Sequence, residues 1–195
     1  MAKNKIGIIG DGNVGSALAR GLKRAGHEVR AVGNDKGAIR DTAGWGDVVF
    51  FAVPFRALDD VVKTAGEVLE GKTVVDVTNA IDESMNLAVG YTTSGAEDLQ
   101  KKLPKARVVK AFNTVFAKHM DAGKLGDQRL TAFVAGDDSA AKTTVLAFAR
   151  DIGFDAVDAG PLKNARMLEP LAYLNIQLGY VLGMGTQMGF KLLHG

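Results

Sequence analysis

The chain contains no cysteine. That absence excludes disulfides, thiolate-held zinc or iron–sulfur centres and a cysteine nucleophile. Histidine is scarce too: His27, His119 and His194 are scattered, so no His/Asp/Ser arrangement and no metal site are expected. His27 lies in a helix-to-strand turn and reads as structural, His119 reads as a surface residue, and His194 lies beside the terminus. Charge is not concentrated in either sign, because 24 basic and 22 acidic residues give a net charge of +2 without runs. No basic arm points to nucleic acid. The start, Met1-Ala2-Lys3-Asn4-Lys5, shows no apolar leader segment, so a cytoplasmic protein is expected.

One long uncharged run, Pro170 to Phe190, is nominally long enough to cross a bilayer. Polar residues Asn175, Gln177, Thr186 and Gln187 interrupt it, and Gly179, Gly183, Gly185 and Gly189 weaken it as a lone helix. Such small-residue spacings also serve close packing in a core or subunit interface. The expectation is therefore no membrane span, and a homodimer formed through the apolar segment from Leu171 to Met184.

What the chain does have is 195 residues with 47% hydrophobic content, enough for one well-filled domain. Its most specific local feature is Ile6-Gly7-Ile8-Ile9-Gly10-Asp11-Gly12-Asn13-Val14-Gly15, an apolar strand running through glycines into a helix. Gly10 suits the tight turn, Gly12 lets backbone approach a pyrophosphate, and Gly15 permits close helix–strand packing. Backbone amides of Asn13 and Val14 are the expected phosphate donors. Val14, Leu18, Leu22 and Ala25 then form the core-facing stripe of a helix closed by Gly26.

Strand-like and helical runs alternate thereafter, which predicts an α/β, Rossmann-type doubly wound fold with a mostly parallel sheet. Expected strands cover 28–32, 47–53, 73–77, 107–111, 131–135 and 155–157. Helices are expected over 57–69, from Ser94 to Leu103, and from Asp137 or Asp138; Ser94 and Glu97 have the spacing of a capping box. From Pro161 the pattern reads as helical to the end. Residues 1–160 thus form a dinucleotide-binding domain and 161–195 a helical C-terminal portion that completes an acceptor pocket and a dimer interface, all in one compact unit. A ligand is expected at the switch between strands one and four. There the glycine loop would meet Ala52-Val53-Pro54-Phe55, Val77-Thr78-Asn79-Ala80 and Ala111-Phe112-Asn113-Thr114. Asn79 and Asn113 carry donor and acceptor groups suited to ribose, carboxamide or an acceptor ring, or to a turn's own backbone. Arg166 and Glu169 are spaced to pair on the last helix.

These segments, with Val134-Ala135-Gly136-Asp137-Asp138, Asp158-Ala159-Gly160-Pro161-Leu162-Lys163-Asn164-Ala165-Arg166, Gly183-Met184-Gly185 and Gly189-Phe190-Lys191-Leu192, resemble the reductases that move hydride between NADP and coenzyme F420, a 5-deazaflavin. The likeness spans essentially the whole chain. It also extends to the cytosolic reductase domain of membrane ferric reductases, in which a flavin takes the deazaflavin's place. The resemblance implies a soluble oxidoreductase using NADP(H), alternatively NAD(H), with coenzyme F420 or a flavin as hydride partner. Hydride transfer needs ring stacking rather than a nucleophile, so the missing triad is no objection. Two other readings are a reductase of another small substrate and a dinucleotide sensor without turnover.

Cofactor choice should be made after the second strand, at Gly33-Asn34-Asp35-Lys36. The resembled family's Ser-Arg pair falls on Gly33 and Asn34, so its arginine is missing. Gly33 in place of a carboxylate leaves room for a 2′-phosphate, with Asn34, Lys36 or Arg40 as donors, whereas Asp35 turned inward would select NAD. NADP is the favoured expectation.

Overall fold

The computed structural model describes residues 3–193. The elements are β1 (Lys5–Ile9), α1 (Asn13–Arg24), β2 (Glu28–Val32), α2 (Lys36–Trp45), β3 (Val48–Phe51), α3 (Leu58–Ala65), β4 (Thr73–Asp76), α4 (Gly95–Lys102), β5 (Arg107–Ala111), β6 (Lys124–Leu125), β7 (Gln128–Arg129), β8 (Thr131–Gly136), α5 (Ser139–Ile152), β9 (Asp155–Asp158) and α6 (Ala165–Ile176). Seven strands form one sheet in the order β2-β1-β3-β4-β5-β8-β9, and β6 and β7 make a separate hairpin. The first five run parallel, while β8 pairs antiparallel with β5 and β9 follows β8. The fold is Rossmann-type and doubly wound, as the alternation predicts.

The order corrects one expectation. The crossover after β2 brings β3, not the fourth strand, to the other side of β1. The switch point therefore lies between β1 and β3, because β2 alone, rather than two strands, is added on the other side of β1 before the chain crosses back. Two hydrophobic layers follow from the double winding. One sets α1 and α5 on the sheet around Ile8, Leu18, Phe50 and Phe148; the other sets α2, α3 and α4 around Ile9, Val61, Val74 and Leu99. The central strands β3 and β4 are buried at every residue, as a sheet covered on both faces requires.

Helix starts follow the sequence signals. Ser94 accepts from the Glu97 amide, Asp138 rather than Asp137 caps α5, and Asp137 instead accepts from the Leu162 amide at 2.9 Å. The expected helix over 57–69 is α3 followed by a 3-10 turn, Gly66–Leu69.

The C-terminal portion is not helical to its end. α6 passes into a π-helical turn, Gln177–Val181, and then Gly183 and Gly185 take φ of 72° and 75°, which stops any helix. The chain closes back on itself through Leu182 N–H to Gln177 and Gly185 N–H to Gly179. It then returns to the amino end of β8, where Thr131 N–H donates to the Phe190 carbonyl at 2.9 Å. Since β8 is antiparallel to β5, that end lies at the carboxyl edge of the parallel strands. No helix among the described residues is long and apolar enough to cross a membrane.

Candidate functional site

The glycine loop joins β1 to α1 at the switch point. Gly10 has φ of 110°, and a Cβ there would lie 2.2 Å from the Ala52 carbonyl oxygen. A Cβ on Gly15 would lie 1.8 Å from the Gly10 carbonyl oxygen, so the helix can seat on the loop only with glycine at 15. Gly12 differs: its Cβ position meets nothing within 4 Å and faces open space. It is the N-cap of α1, no side chain caps the helix, and its first turn carries no acidic residue. The amides of Asn13, Val14 and Gly15 therefore project from a helix N-terminus with no intrahelical acceptor. This cradle fits an anionic pyrophosphate.

Two clefts meet at the loop. The first, about 500 Å³, is lined by Gly10, Asp11, Gly12, Gly33, Asn34, Lys36, Ala52, Val53, Pro54, Asp60 and Thr64 among others. Most of the expected cofactor residues converge there. Asp35 does not line it, since its carboxylate accepts from the Ala38 amide at 2.7 Å and caps α2. Arg40 is also engaged elsewhere, with Glu67 at 2.9 Å and the Thr64 carbonyl at 3.3 Å. The room expected beside Gly33 is filled: a Cβ on Gly33 would lie 2.9 and 3.0 Å from the Asp11 carboxylate oxygens.

The second cleft, about 330 Å³, opens on the other side of the loop between α1, the segment after β5 and the C-terminal portion. It is lined by Asn13, Ser16, Arg20, Phe116, Ala117, Lys118, Tyr180 and Thr186. Phe116 and Tyr180 stand edge to face with centroids 5.6 Å apart, and Arg20 contacts Asp121 at 3.3 Å. His119, expected at the surface, is buried because its ring meets the Thr186 carbonyl at 3.0 Å and ties the C-terminal segment to this loop. His27 is buried beside Asp151 and Phe148 in a structural position, and His194 lies outside the described residues.

Asn79 and Asn113 meet each other. Asn113 Nδ2 donates to Asn79 Oδ1 at 3.2 Å and to the Leu168 carbonyl at 2.9 Å, while Asn79 Nδ2 donates to the Asn113 carbonyl at 3.2 Å. Phe112 takes φ of 65° just before this pair, a strained turn for an aromatic residue. Asn113 Oδ1, Thr78 Oγ1 and Asn175 Oδ1 are buried without a hydrogen-bond partner among the described residues. Ala111 is fully buried beneath this turn and shapes it only through its backbone.

Below the asparagines sits a charged cluster that the sequence reading missed. Lys110 is completely buried, with its Nζ 2.9 Å from Asp76 Oδ2, 3.0 Å from Glu169 Oε1 and 2.6 Å from the Thr78 carbonyl. Burial alone would lower the lysine's pKa, but the attraction of Asp76 and Glu169 outweighs it and holds the ammonium above its ordinary value. Glu169 also accepts from the Gly95 and Ala96 amides at 2.9 and 3.2 Å, capping α4 from α6. The expected Arg166–Glu169 pair does not form. Arg166 instead makes a two-point contact with Glu97 at 2.9 and 2.7 Å, because Glu169 turns inward to the lysine. One signal was present in the sequence: Asp76 and Lys110 each follow a Val-Val pair in a strand, and they fall opposite one another in the register of β4 and β5.

A Rossmann sheet whose glycine loop and helix N-terminus open onto two clefts has the architecture of a dinucleotide-binding protein. The comparisons with known proteins make the class specific. The family model for NADP oxidoreductase, coenzyme F420-dependent, matches residues 5–44. The F420-dependent NADP reductase of Methanocaldococcus jannaschii is 32% identical over 80% of this chain and 71% of its own length. A crystal structure of a protein from Arthrobacter sp. FB24, provisionally named an F420-dependent NADP reductase, superposes with a TM-score of 0.89 at 29% identity, covering 98% of this chain and all of the other. The metalloreductase STEAP3 of Rattus norvegicus is also 32% identical over 86% of this chain, which spans about a third, 36%, of that relative. The chain belongs to the F420-dependent NADP reductase family and is an oxidoreductase of that NADP-dependent type.

Proposed function

We propose that the protein transfers a hydride between a nicotinamide dinucleotide and coenzyme F420, or a related flavin. The observation that carries this reading is the position of the glycine loop where the two clefts meet. With the pyrophosphate on the Asn13 and Val14 amides, the adenosine end enters the cleft of Gly33 and Ala52-Val53-Pro54, and the nicotinamide end faces the opposite side. The second cleft, walled by Phe116 and Tyr180, is the expected place for the acceptor. The bound rings supply the hydride chemistry. The chain's own part is to hold them in register, to exclude water and to offer the glycine-loop amides to the pyrophosphate, while the Asn79–Asn113 pair fixes the turn after β5. Tyr180 and Thr186 line this cleft, which supports the reading that the C-terminal portion completes the acceptor pocket.

The likeness to the metalloreductase STEAP3 keeps an acceptor other than the deazaflavin in the proposal. A reductase of another small substrate and a sensor without turnover are the alternatives. The reading also places the enzyme in the cytoplasm as a homodimer. Support for the dimer is the exposed apolar surface of Leu174, Tyr180, Val181, Leu182 and Met184, at least half accessible in each case. A monomer by light scattering at micromolar concentration would remove that part.

The test is an acceptor panel under anaerobic conditions: NADPH or NADH with oxidised F420, FMN and FAD, followed by loss of acceptor absorbance. Bleaching of F420 supports the proposal, and bleaching of flavin alone moves the protein to its flavin branch. Dinucleotide binding with no acceptor reduced would overturn the proposed reaction.

A further inference from the structure

In dinucleotide folds the side chain just past the second strand reads the adenosine ribose. A carboxylate there accepts from the ribose hydroxyls, whereas an arginine takes a 2′-phosphate. Here that position is Gly33, with no side chain. The Asp11 carboxylate, reaching over from the glycine loop, lies where a Gly33 side chain would begin, its three carboxyl atoms 2.9, 3.0 and 3.2 Å from the Cβ position. The acidic group missing from β2 is thereby restored from β1's side of the cleft.

The other charged groups decide what this means for a 2′-phosphate. Among the described residues lining the cleft, Asp11 and Asp60 are acidic and Lys36 is the basic one. The arginines of this region are committed elsewhere: Arg40 to Glu67 and the Thr64 carbonyl, and Arg30 to the face of Trp45, 4.1 Å from its centroid. Asp35 is turned into its helix cap. A phosphate monoester carries about −1.5 to −2 charge near neutral pH. At the ribose 2′ position it would meet two carboxylates and one ammonium, with no planar guanidinium to bind it at two points. A 2′-hydroxyl would instead find Asp11 as an acceptor.

We infer that Asp11 is the residue that reads the adenosine 2′ position, and that it makes this chain a dual-cofactor enzyme, accepting NAD(H) alongside NADP(H). Lys36 supplies the opposing attraction that keeps the 2′-phosphate tolerable. This inference rests on the dinucleotide reading above. It concerns binding, so turnover is not needed to test it.

The experiment is isothermal titration of NADH, NADPH, 5′-AMP and 2′,5′-ADP into the wild type, Asp11→Asn, Asp11→Ser and Lys36→Gln, each checked for an unchanged melting profile. The wild type should bind NADH and NADPH within about tenfold of each other. Both Asp11 variants should shift the ratio toward NADPH by about tenfold, the fragments should follow the same order, and Lys36→Gln should shift it toward NADH, as expected for charges a few ångströms apart. A wild type that binds NADPH more than tenfold tighter than NADH, or an unchanged ratio in both Asp11 variants, would overturn the inference. Failure of all four compounds to bind would instead overturn the dinucleotide reading on which it stands.

Discussion

The glycine loop and the Asp76–Lys110–Glu169 cluster lie at the same edge of the sheet and are built in opposite ways. The loop achieves its shape by omission: side chains are missing where backbone must touch backbone, and at Gly12 one is missing where nothing touches at all. The cluster achieves its shape by pairing, with a lysine and two acidic side chains removed entirely from water and satisfied by one another and by backbone. The loop is open and ready for an anion. The cluster is closed, and its task is to fix α6 and α4 against β4 and β5 so that the Asn79–Asn113 turn stays in place above it. Binding surface and scaffold are thus separated by kind of interaction as well as by position.

Substitutions should break the two regions differently. Lys110→Met leaves two carboxylates buried without their cation, and removal of one partner from a buried ion pair costs about 3–5 kcal/mol. Chemical denaturation should show that loss, and adding Asp76→Asn and Glu169→Gln should recover much of it. Gly15→Ala comes next, since its methyl group would lie 1.8 Å from a backbone oxygen. Forcing the helix away should cost about 1–3 kcal/mol and abolish dinucleotide binding, by the same two measurements, denaturation and titration. Ser94→Ala removes the hydroxyl that accepts from the Glu97 amide and should cost about 1 kcal/mol, with Glu169 still capping the same helix. Gly12→Ala sharpens the comparison most. Stability should change by no more than about 0.5 kcal/mol, because the position is open, while pyrophosphate approach is blocked and dinucleotide affinity is lost.

Acid provides a milder probe of the scaffold. The Arg166 contact lowers the Glu97 carboxyl below its ordinary pKa, and Lys142 with the Gly160 amide does the same for Asp158. A lowered folded-state pKa means stability that is full above the ordinary carboxylate range, near about 4, and lost as pH falls through the lowered values. Melting temperature should therefore hold near neutrality and fall below about pH 4. Arg166→Met should flatten the Glu97 part of that fall.

The same contrast explains what the sequence disclosed. β1, the loop, α1 and β2 are specified by neighbours in the chain, so their glycines and apolar spacing were readable, as was the cap at Ser94, while the cap of α5 was narrowed to Asp137 or Asp138. The α/β alternation followed from the same local patterns. The charged cluster joins Asp76 to Lys110, 34 positions on, and Lys110 to Glu169, 59 positions further, and only the strand register puts Asp76 beside Lys110. Glu169 therefore looked like a partner for Arg166, its neighbour in sequence. The Asp11 carboxylate over Gly33 depends on β1 and β2 lying side by side, so Gly33 alone suggested empty space. The end of α6 was misread because apolar content continued past the glycines whose positive φ turns the chain back. Strand order, which moves the switch point to β1 and β3, is a property of the whole sheet.

The central claim is direct hydride transfer from a dinucleotide held on the glycine loop to a deazaflavin in the adjoining cleft. Its most direct test is a single turnover with NADPH, and with NADH, deuterated at the transferring position of C4, followed by mass analysis of the F420 product. Reduced F420 should carry one deuterium from either dinucleotide. F420 left oxidised, or reduced without the label, would contradict it.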